Sequence, residues 1–337
     1  MKTQIGILAE AYYLPDEKKK VEDIFKDEDI PFGTLAKNID FRRDIGIEEV
    51  HVTDELPSSV ALKAARNVMA KTDITGRDVD VIIDFTSIPQ DYVGPTWSVA
   101  GLIQEELKAT NAFCTAITTG GCASYHFAVR SVCAMMASDP NINTALLVAG
   151  DRTPEFNKTY YPITVASDGG AALILQKGCE RAVILAVETI SIGRLHDVWY
   201  VPGLSHLHQD EPASEKFLHM HCDIKKFNEG VIIRNFYMFG QVIKKILKKV
   251  QMTIDDIDYF VYPTFSTWDQ ANFCEATKIP REKVYTAGLR KRGHVQESDM
   301  VINYVDALEE GLIKNGDLVM IISNGAGFAW SAVLVRQ

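Results

Sequence analysis

The sequence predicts an α/β protein built from two similar halves, roughly residues 1–178 and 179–337. Three observations carry this. The chain has 337 residues, more than one small core organises. Continuous apolar runs of strand length alternate with segments of helical periodicity. A weak internal repeat relates the two groups of elements.

Ile5–Leu8 reads as the first strand. "DITGRDVDVIIDFTS" (73–87) resembles "MTIDDIDYFVYPTFS" (252–266), an aspartate-rich turn followed by an apolar run, and aligning Asp80 with Asp258 gives an offset of 178. "NTALLVAGD" (143–151) matches "GDLVMIISN" (316–324) at an offset of 172, Leu146 against Leu318. Uninterrupted apolar runs of this length suit strands covered on both faces. A glycine-rich turn and a last strand close each half, in "SDGGAALIL" (167–175) and "NGAGFAWSAVLV" (324–335). Between the strands, "HFAVRSVCAMMAS" (126–138) and "DMVINYVDALEEGLI" (299–313) have helical spacing. Two such halves are expected to pack about a pseudo-twofold axis, with a site where they meet.

Composition narrows the function. A formal net charge of −10 gives no overall attraction for nucleic acid or an anionic membrane, so neither is an expected partner. No apolar run is long enough for a transmembrane helix, and "MKTQIGILAEAYYLP" lacks the form of a secretory signal, so a cytoplasmic protein is expected. The six cysteines are scattered without a CxxC pair, which predicts free thiols.

One thiol stands out. In "TTGGCASYHF" (118–127), Cys122 follows two glycines and precedes a helical run. Adding the 172 offset leads to His294 in "RKRGHVQESD", again behind a glycine and ahead of a helix. Pseudo-symmetric packing would bring the two turns together, with the helix dipole lowering the thiol pKa and the imidazole taking its proton. The alternative is that both glycine turns only let strand and helix pack closely.

The chain resembles the thiolase superfamily, in particular its β-ketoacyl-ACP synthase III branch (3-oxoacyl-ACP synthase III), nearly end to end. The resemblance is carried by "IGIEEVHVTDELPSSVALKAARNVM", "FTSIPQDYVGPTWSVAGLIQEEL", "TGGCASYHFAV", "ASDGGAALIL" and "SNGAGFAWSAVLVRQ". It implies a thiolase-like five-layered αβαβα fold, a homodimer, and acylation of a cysteine by a CoA or acyl-carrier-protein thioester entering through a tunnel. That thioester is the substrate, and no permanently bound cofactor is implied. Cys122 would be the nucleophile, and the backbone N–H groups of Cys122 and Ala326 the oxyanion hole. Two positions depart from the family pattern. Where the family has histidine after its strand-ending proline, this chain has Thr264; the later "DQAN" offers Asp269, but counting back from Pro280 favours Thr264. The family's asparagine is replaced by His294. Loss of one strong donor on a developing enolate costs on the order of 10²–10³ in rate. This points to an acyltransferase of specialised-metabolite or fatty-acid-type biosynthesis. The alternatives are a decarboxylative condensing enzyme and a catalytically weak partner subunit.

Other features are placed by the same reading. Arg290 and Arg292 in "LRKRGH" are expected to bind phosphates of CoA or phosphopantetheine, with Phe328 on the tunnel wall alongside Trp97 and Tyr125 as core or wall. Lys244, Lys245, Lys248 and Lys249 in "VIKKILKKV" share one helical stripe, either a plain solvated face or a docking site for an acidic carrier protein. His206, His208, His219, His221 and Cys222 match no standard zinc spacing, so a loop over the tunnel is expected and no metal. Asp168, Gly169 and Gly170 read as a structural turn.

Overall fold

The computed structural model describes residues 3–24, 45–87, 98–153, 158–160, 163–200 and 221–337. In the first half, β1 (Ile5–Tyr13), α1 (Pro57–Met69), β2 (Val81–Asp84), α2 (Val99–Leu107), β3 (Phe113–Ala116), α3 (Ser124–Ser138), β4 (Thr144–Asp151) and β5 (Gly169–Lys177) follow in order. The second half comprises β6 (Val183–Ser191), α4 (Asn235–Val250), β7 (Tyr259–Val261), α5 (Thr267–Thr277), α6 (Asp299–Glu309), β8 (Leu318–Gly325) and β9 (Ala329–Arg336).

The strands form one mixed sheet in the order β7-β8-β9-β6-β1-β5-β4-β2-β3. Each half contributes a wing of the same design. In the first wing β1, β5 and β4 pair antiparallel, and β4, β2 and β3 pair parallel. In the second, β6, β9 and β8 pair antiparallel, β8 and β7 parallel, and a bridge from Phe260 to Val284 stands where β3 stands in the first. The wings are paired antiparallel at Gly6 and Val183.

The repeat has a local cause. Thr75 and Asp78 form a reciprocal capping box, as do Thr253 and Asp256, again 178 residues apart. Asp80 then accepts hydrogen bonds from the N–H groups of Asn143 and Thr144 (2.8 and 3.0 Å). Asp258 accepts one from Leu318 N–H (2.8 Å). The same aspartate therefore fixes the start of the neighbouring parallel strand in both wings.

Side-chain alternation builds the layers. Ile82, Leu146, Val148, Ala172 and Ile174 pack with α1 and α2 on one outer face. Val81, Ile83, Leu147, Leu173 and Leu175 of the first wing point the other way and meet α3 and α6. Val319, Ile321, Val333 and Val335 of the second wing belong to that same central cluster. Met320, Ile322, Ala332 and Leu334 pack outward against α4 and α5. The order is helix, wing, helix, wing, helix, and burying one such aliphatic side chain contributes roughly 1.5–3 kcal/mol.

Asp168 is the structural turn the sequence suggested. Its carboxylate accepts from Thr53 N–H and Thr153 N–H (both 2.9 Å) and is paired with buried Lys158 at 2.6 Å. Tyr125 is buried in the central layer, while Trp97 lies outside the described residues.

Candidate active site

Cys122 sits in a 3-10 turn, Gly121–Ala123, that feeds α3. Gly121 has φ +51°, and a Cβ there would lie 2.7 Å from Ala326 N. A Cβ on Gly325 would meet Gly120 O at 1.9 Å and Cys122 N at 2.8 Å. The two glycines thus let the Cys122 turn of one wing seat directly on the β8–β9 turn of the other. Ser323 Oγ–H fixes the contact by donating to Cys122 O (3.2 Å). This brings the Ala326 turn against the Cys122 turn.

His294 follows Gly293, which has φ +72°. Its N–H donates to Val165 O (3.0 Å), and its carbonyl accepts from Ser167 N–H (2.8 Å), so the second wing's histidine is stitched to the first wing. Its Nε2 stands 3.3 Å from Cys122 Sγ and its Nδ1 2.5 Å from Asp299 Oδ2. Asp299 is buried and also accepts from Val295 N–H and Thr264 N–H, both at 2.8 Å. A carboxylate surrounded by N–H donors selects the tautomer with hydrogen on Nδ1 and leaves the Nε2 lone pair for the thiol. Phe265 lies edge-on to the imidazole at 4.8 Å.

Cys122 and His294 meet, but not as repeat partners. The turn that matches Gly121–Ala123 is Gln296–Ser298, whose first residue, Gln296, has φ +45°. The position equivalent to Cys122 is therefore Glu297, three residues beyond His294. Glu297 is buried and accepts from the N–H and hydroxyl of Ser87, while Asp151 beside it accepts from Ser298 Oγ–H (2.6 Å). Burial raises both carboxyls, and each adjoins the other's charge.

That surrounding corrects the expectation of a lowered thiol pKa. Burial first, then the nearby carboxyls of Glu297, Asp299 and Asp151, push Cys122 well above its ordinary 9.0. These outweigh the one opposing effect, a backbone hydrogen bond at Cys122, and favour the protonated thiol. Alkylation by iodoacetamide is expected to keep accelerating from about pH 7 to about pH 9, because thiolate accumulates only as pH approaches a raised pKa. A rate already level near pH 7 would instead show a preformed thiolate.

These groups open onto a cavity of about 660 Å³. Trp199, Phe227, Val231, Ile232, Phe265 and Phe328 give it apolar walls, and Ala326 and Asp269 also line it. Part of the wall is a π-helical turn, Asn228–Ile232, an irregularity common at functional sites. Asp269 is buried, and Tyr262 Oη–H donates to its Oδ2 (2.6 Å). Burial lifts its carboxyl to about 7 against the opposing effects of Tyr262 and His294.

Three expectations change. Thr264 is not among the lining residues: its N–H is held by Asp299 and its hydroxyl accepts from Asn303 Nδ2–H (3.0 Å), so it anchors the site and Asp269 takes the cavity face. Arg292 is buried, paired with Asp306 at 2.6 Å and bonded to Asn303, and has no surface to offer a phosphate. Arg290 is exposed but does not line the cavity. On α4 all four lysines are exposed, yet Lys245 and Lys249 both pair with Glu188 (2.9 and 2.8 Å), which leaves Lys244 and Lys248 as the cations of the stripe without an ion pair among the described residues.

His206, His208 and His219 lie outside the described residues, and His221 and Cys222 pair with Tyr200 and Trp199 in a short ladder. Asp299 and Glu297 were not singled out from the sequence, although both stand within five residues of His294 in a turn already marked as functional.

Residues 247–337 match the family described as 3-Oxoacyl-[acyl-carrier-protein (ACP)] synthase III C terminal. Over 301 residues the chain is 26% identical to the β-ketoacyl-[acyl-carrier-protein] synthase III of Clostridium perfringens, covering 88% of this chain and 89% of that one. Among solved structures it is similar to 3-oxoacyl-[acyl-carrier-protein] synthase III from Aquifex aeolicus VF5, with a TM-score of 0.79 and 19% identity over 99% of this chain and 100% of that one. It is also similar to the acyltransferase ChlB3, with a TM-score of 0.81 and 22% identity over 99% and 97%. The fold is the thiolase-like one.

Proposed function

We propose that this chain, which belongs to the 3-oxoacyl-ACP synthase III-like branch of the thiolase superfamily, is an acyltransferase that carries its acyl group on Cys122. The observation behind the reading is the line from Asp299 through His294 to Cys122, ending in an apolar cavity beside the Ala326 amide. The donor is an acyl-CoA or acyl-ACP thioester, and the relatives' names include the acyl carrier protein. Cys122 Sγ attacks the thioester carbonyl while His294 Nε2 takes the thiol proton. The N–H groups of Cys122 and Ala326 face the oxyanion, a contribution on the order of 10²–10³ in rate per donor. Collapse expels the donor thiolate, which receives the proton from His294. In the second half-reaction His294 takes a proton from the acceptor, and the acceptor displaces Cys122.

The names of the relatives favour a second reading, decarboxylative condensation. It asks for a second strong donor at the enolate, and the turned-away Thr264 does not supply one. A homodimer is part of the proposal: among the described residues β3 is the last strand of the sheet, and its Phe113 is 59% exposed. The six cysteines form no disulfide, in keeping with a cytoplasmic setting, and no helix among the described residues is long and apolar enough to cross a membrane.

Native mass spectrometry tests these points together. The protein is mixed with acyl-CoA, acyl-ACP and malonyl thioesters beside Cys122→Ala. The expected result is a dimer mass, one acyl adduct per wild-type chain and none on the variant. Loading from carrier-bound donors alone falls in Lys244→Glu/Lys248→Glu if that pair docks a carrier. Adducts on both proteins would remove Cys122 from the mechanism. No adduct from any donor would favour a catalytically weak partner subunit, and release of carbon dioxide from malonyl thioester would favour condensation.

A further inference from the structure

Asp269 is a buried carboxyl on the wall of the same cavity that holds Cys122 and His294. Its Oδ2 accepts from Tyr262 Oη–H, and its Oδ1 has no hydrogen-bond partner among the described residues. The walls beside it are aromatic. Trp268, its neighbour at the start of α5, is half exposed and lies 6.1 Å from Phe236, and Phe265 stands against His294. Among the described lining residues there is no lysine or arginine.

We propose that Asp269, with Trp268 and Phe265, forms the acceptor subsite and that the acceptor it selects is an amine. This rests on the acyltransferase reading above and names its second substrate by class. A carboxylate in an apolar, aromatic surrounding is costly to leave unpaired and gains most from a cation, and aromatic faces attract ammonium groups as well. A neutral alcohol offers hydrogen bonds without charge. A malonyl carboxylate meets repulsion at the same wall. Tyr262 supports the ionised form of Asp269, against the burial that raises it.

The chemistry balances without a further reagent. The ammonium ion binds at Asp269 Oδ1 and releases one proton to solvent to become the free amine. The nitrogen attacks the thioester carbon on Cys122, a C–N bond forms and the C–S bond breaks. His294 Nε2 takes the second proton and returns it to the departing Cys122 sulfur. The products are an amide and the free thiol.

The test compares 2-phenylethylamine with 2-phenylethanol, probes of one shape. Wild type and Asp269→Asn are each loaded to the same acyl occupancy, and discharge is followed by intact mass. The amine is expected to discharge the wild type at least about tenfold faster than the alcohol, with that ratio falling to near one in Asp269→Asn. Equal discharge of the wild type by both probes, or faster discharge by the alcohol or by a malonyl thioester, overturns the assignment. So does an amine-to-alcohol ratio unchanged in the variant. Binding of the two probes to unacylated Cys122→Ala, with and without Asp269→Asn, gives a measure independent of loading. An amine preference that vanishes with Asp269→Asn supports the subsite even if no donor loads Cys122, and its absence in Cys122→Ala overturns it. Failure of Cys122 to load bears on the acyltransferase reading alone.

Discussion

Asp299→Asn is expected to slow acyl loading of Cys122 by about 10³–10⁴, the scale seen when an imidazole base loses its orienting carboxylate. The carboxylate accepts three N–H groups at once, from His294 Nδ1, Val295 and Thr264. Asparagine keeps the shape but has one acceptor oxygen in place of two. Its NH₂ must then face a donor or an imidazole nitrogen. The arrangement that relieves the clash donates to Nδ1, moves the ring hydrogen to Nε2 and points it at Cys122. The base then has no lone pair where the thiol proton leaves. Loading under single-turnover conditions reads this directly, and the loss belongs in the rate at saturating donor rather than in donor affinity. A loss below tenfold would mean that His294 is held by its backbone bonds to Val165 and Ser167 and that Asp299 is only structural.

Arg292→Met is expected to destabilise the fold by about 3–5 kcal/mol, the usual effect of removing one partner from a buried ion pair. The Arg292 guanidinium pairs with Asp306 Oδ2 at 2.6 Å in a region closed to solvent. Asp306 keeps Tyr285 Oη–H (3.0 Å) and Tyr12 Oη–H (3.1 Å), but of the cations among the described residues only Lys291 remains, at 3.6 Å and half exposed. Urea unfolding at neutral pH measures the loss as a lower midpoint at unchanged slope. Burial raises the Asp306 carboxyl, and Arg292, Tyr285 and Lys291 together more than offset this, so its folded pKa lies below the unfolded one. Its contribution is therefore full above the ordinary carboxylate range and is lost as pH falls through the folded value. The destabilisation by Arg292→Met should shrink in acid, and Arg292→Met/Asp306→Asn should recover part of it. A difference below 1 kcal/mol at neutral pH would show that the pair only balances its own desolvation.

The fold was legible because its causes are local. The Thr–Asp capping boxes and the aspartates at 80 and 258 recur in both halves, and the strands read as unbroken apolar runs. The site was legible in part. Cys122 and His294 do meet, but the 172 offset joined them through glycine positions, whereas the equivalent left-handed residue of the second turn is Gln296. A non-glycine residue at positive φ leaves no mark in a sequence. Counting back from Pro280 by the family's usual spacing favours Thr264 over Asp269, while α5 begins at Thr267 and spans only 11 residues. Arg292 looked like a phosphate ligand because a run of cations does not show which one turns inward. Its partners, Asn303 and Asp306, are 11 and 14 residues away on α6.

The single matched pair at Gly6 and Val183 gives the two wings a narrow backbone hinge, and most of their union is made through α3 and α6 in the middle layer. Cys122 rides on one wing and His294 on a turn of the other. The 3.3 Å between sulfur and imidazole is therefore a gauge of docking across that layer. Each wing has its own ladder of strand hydrogen bonds, so a sub-global opening at the hinge would leave most amides protected from hydrogen exchange. Chemistry would stop first, at an excursion far smaller than unfolding.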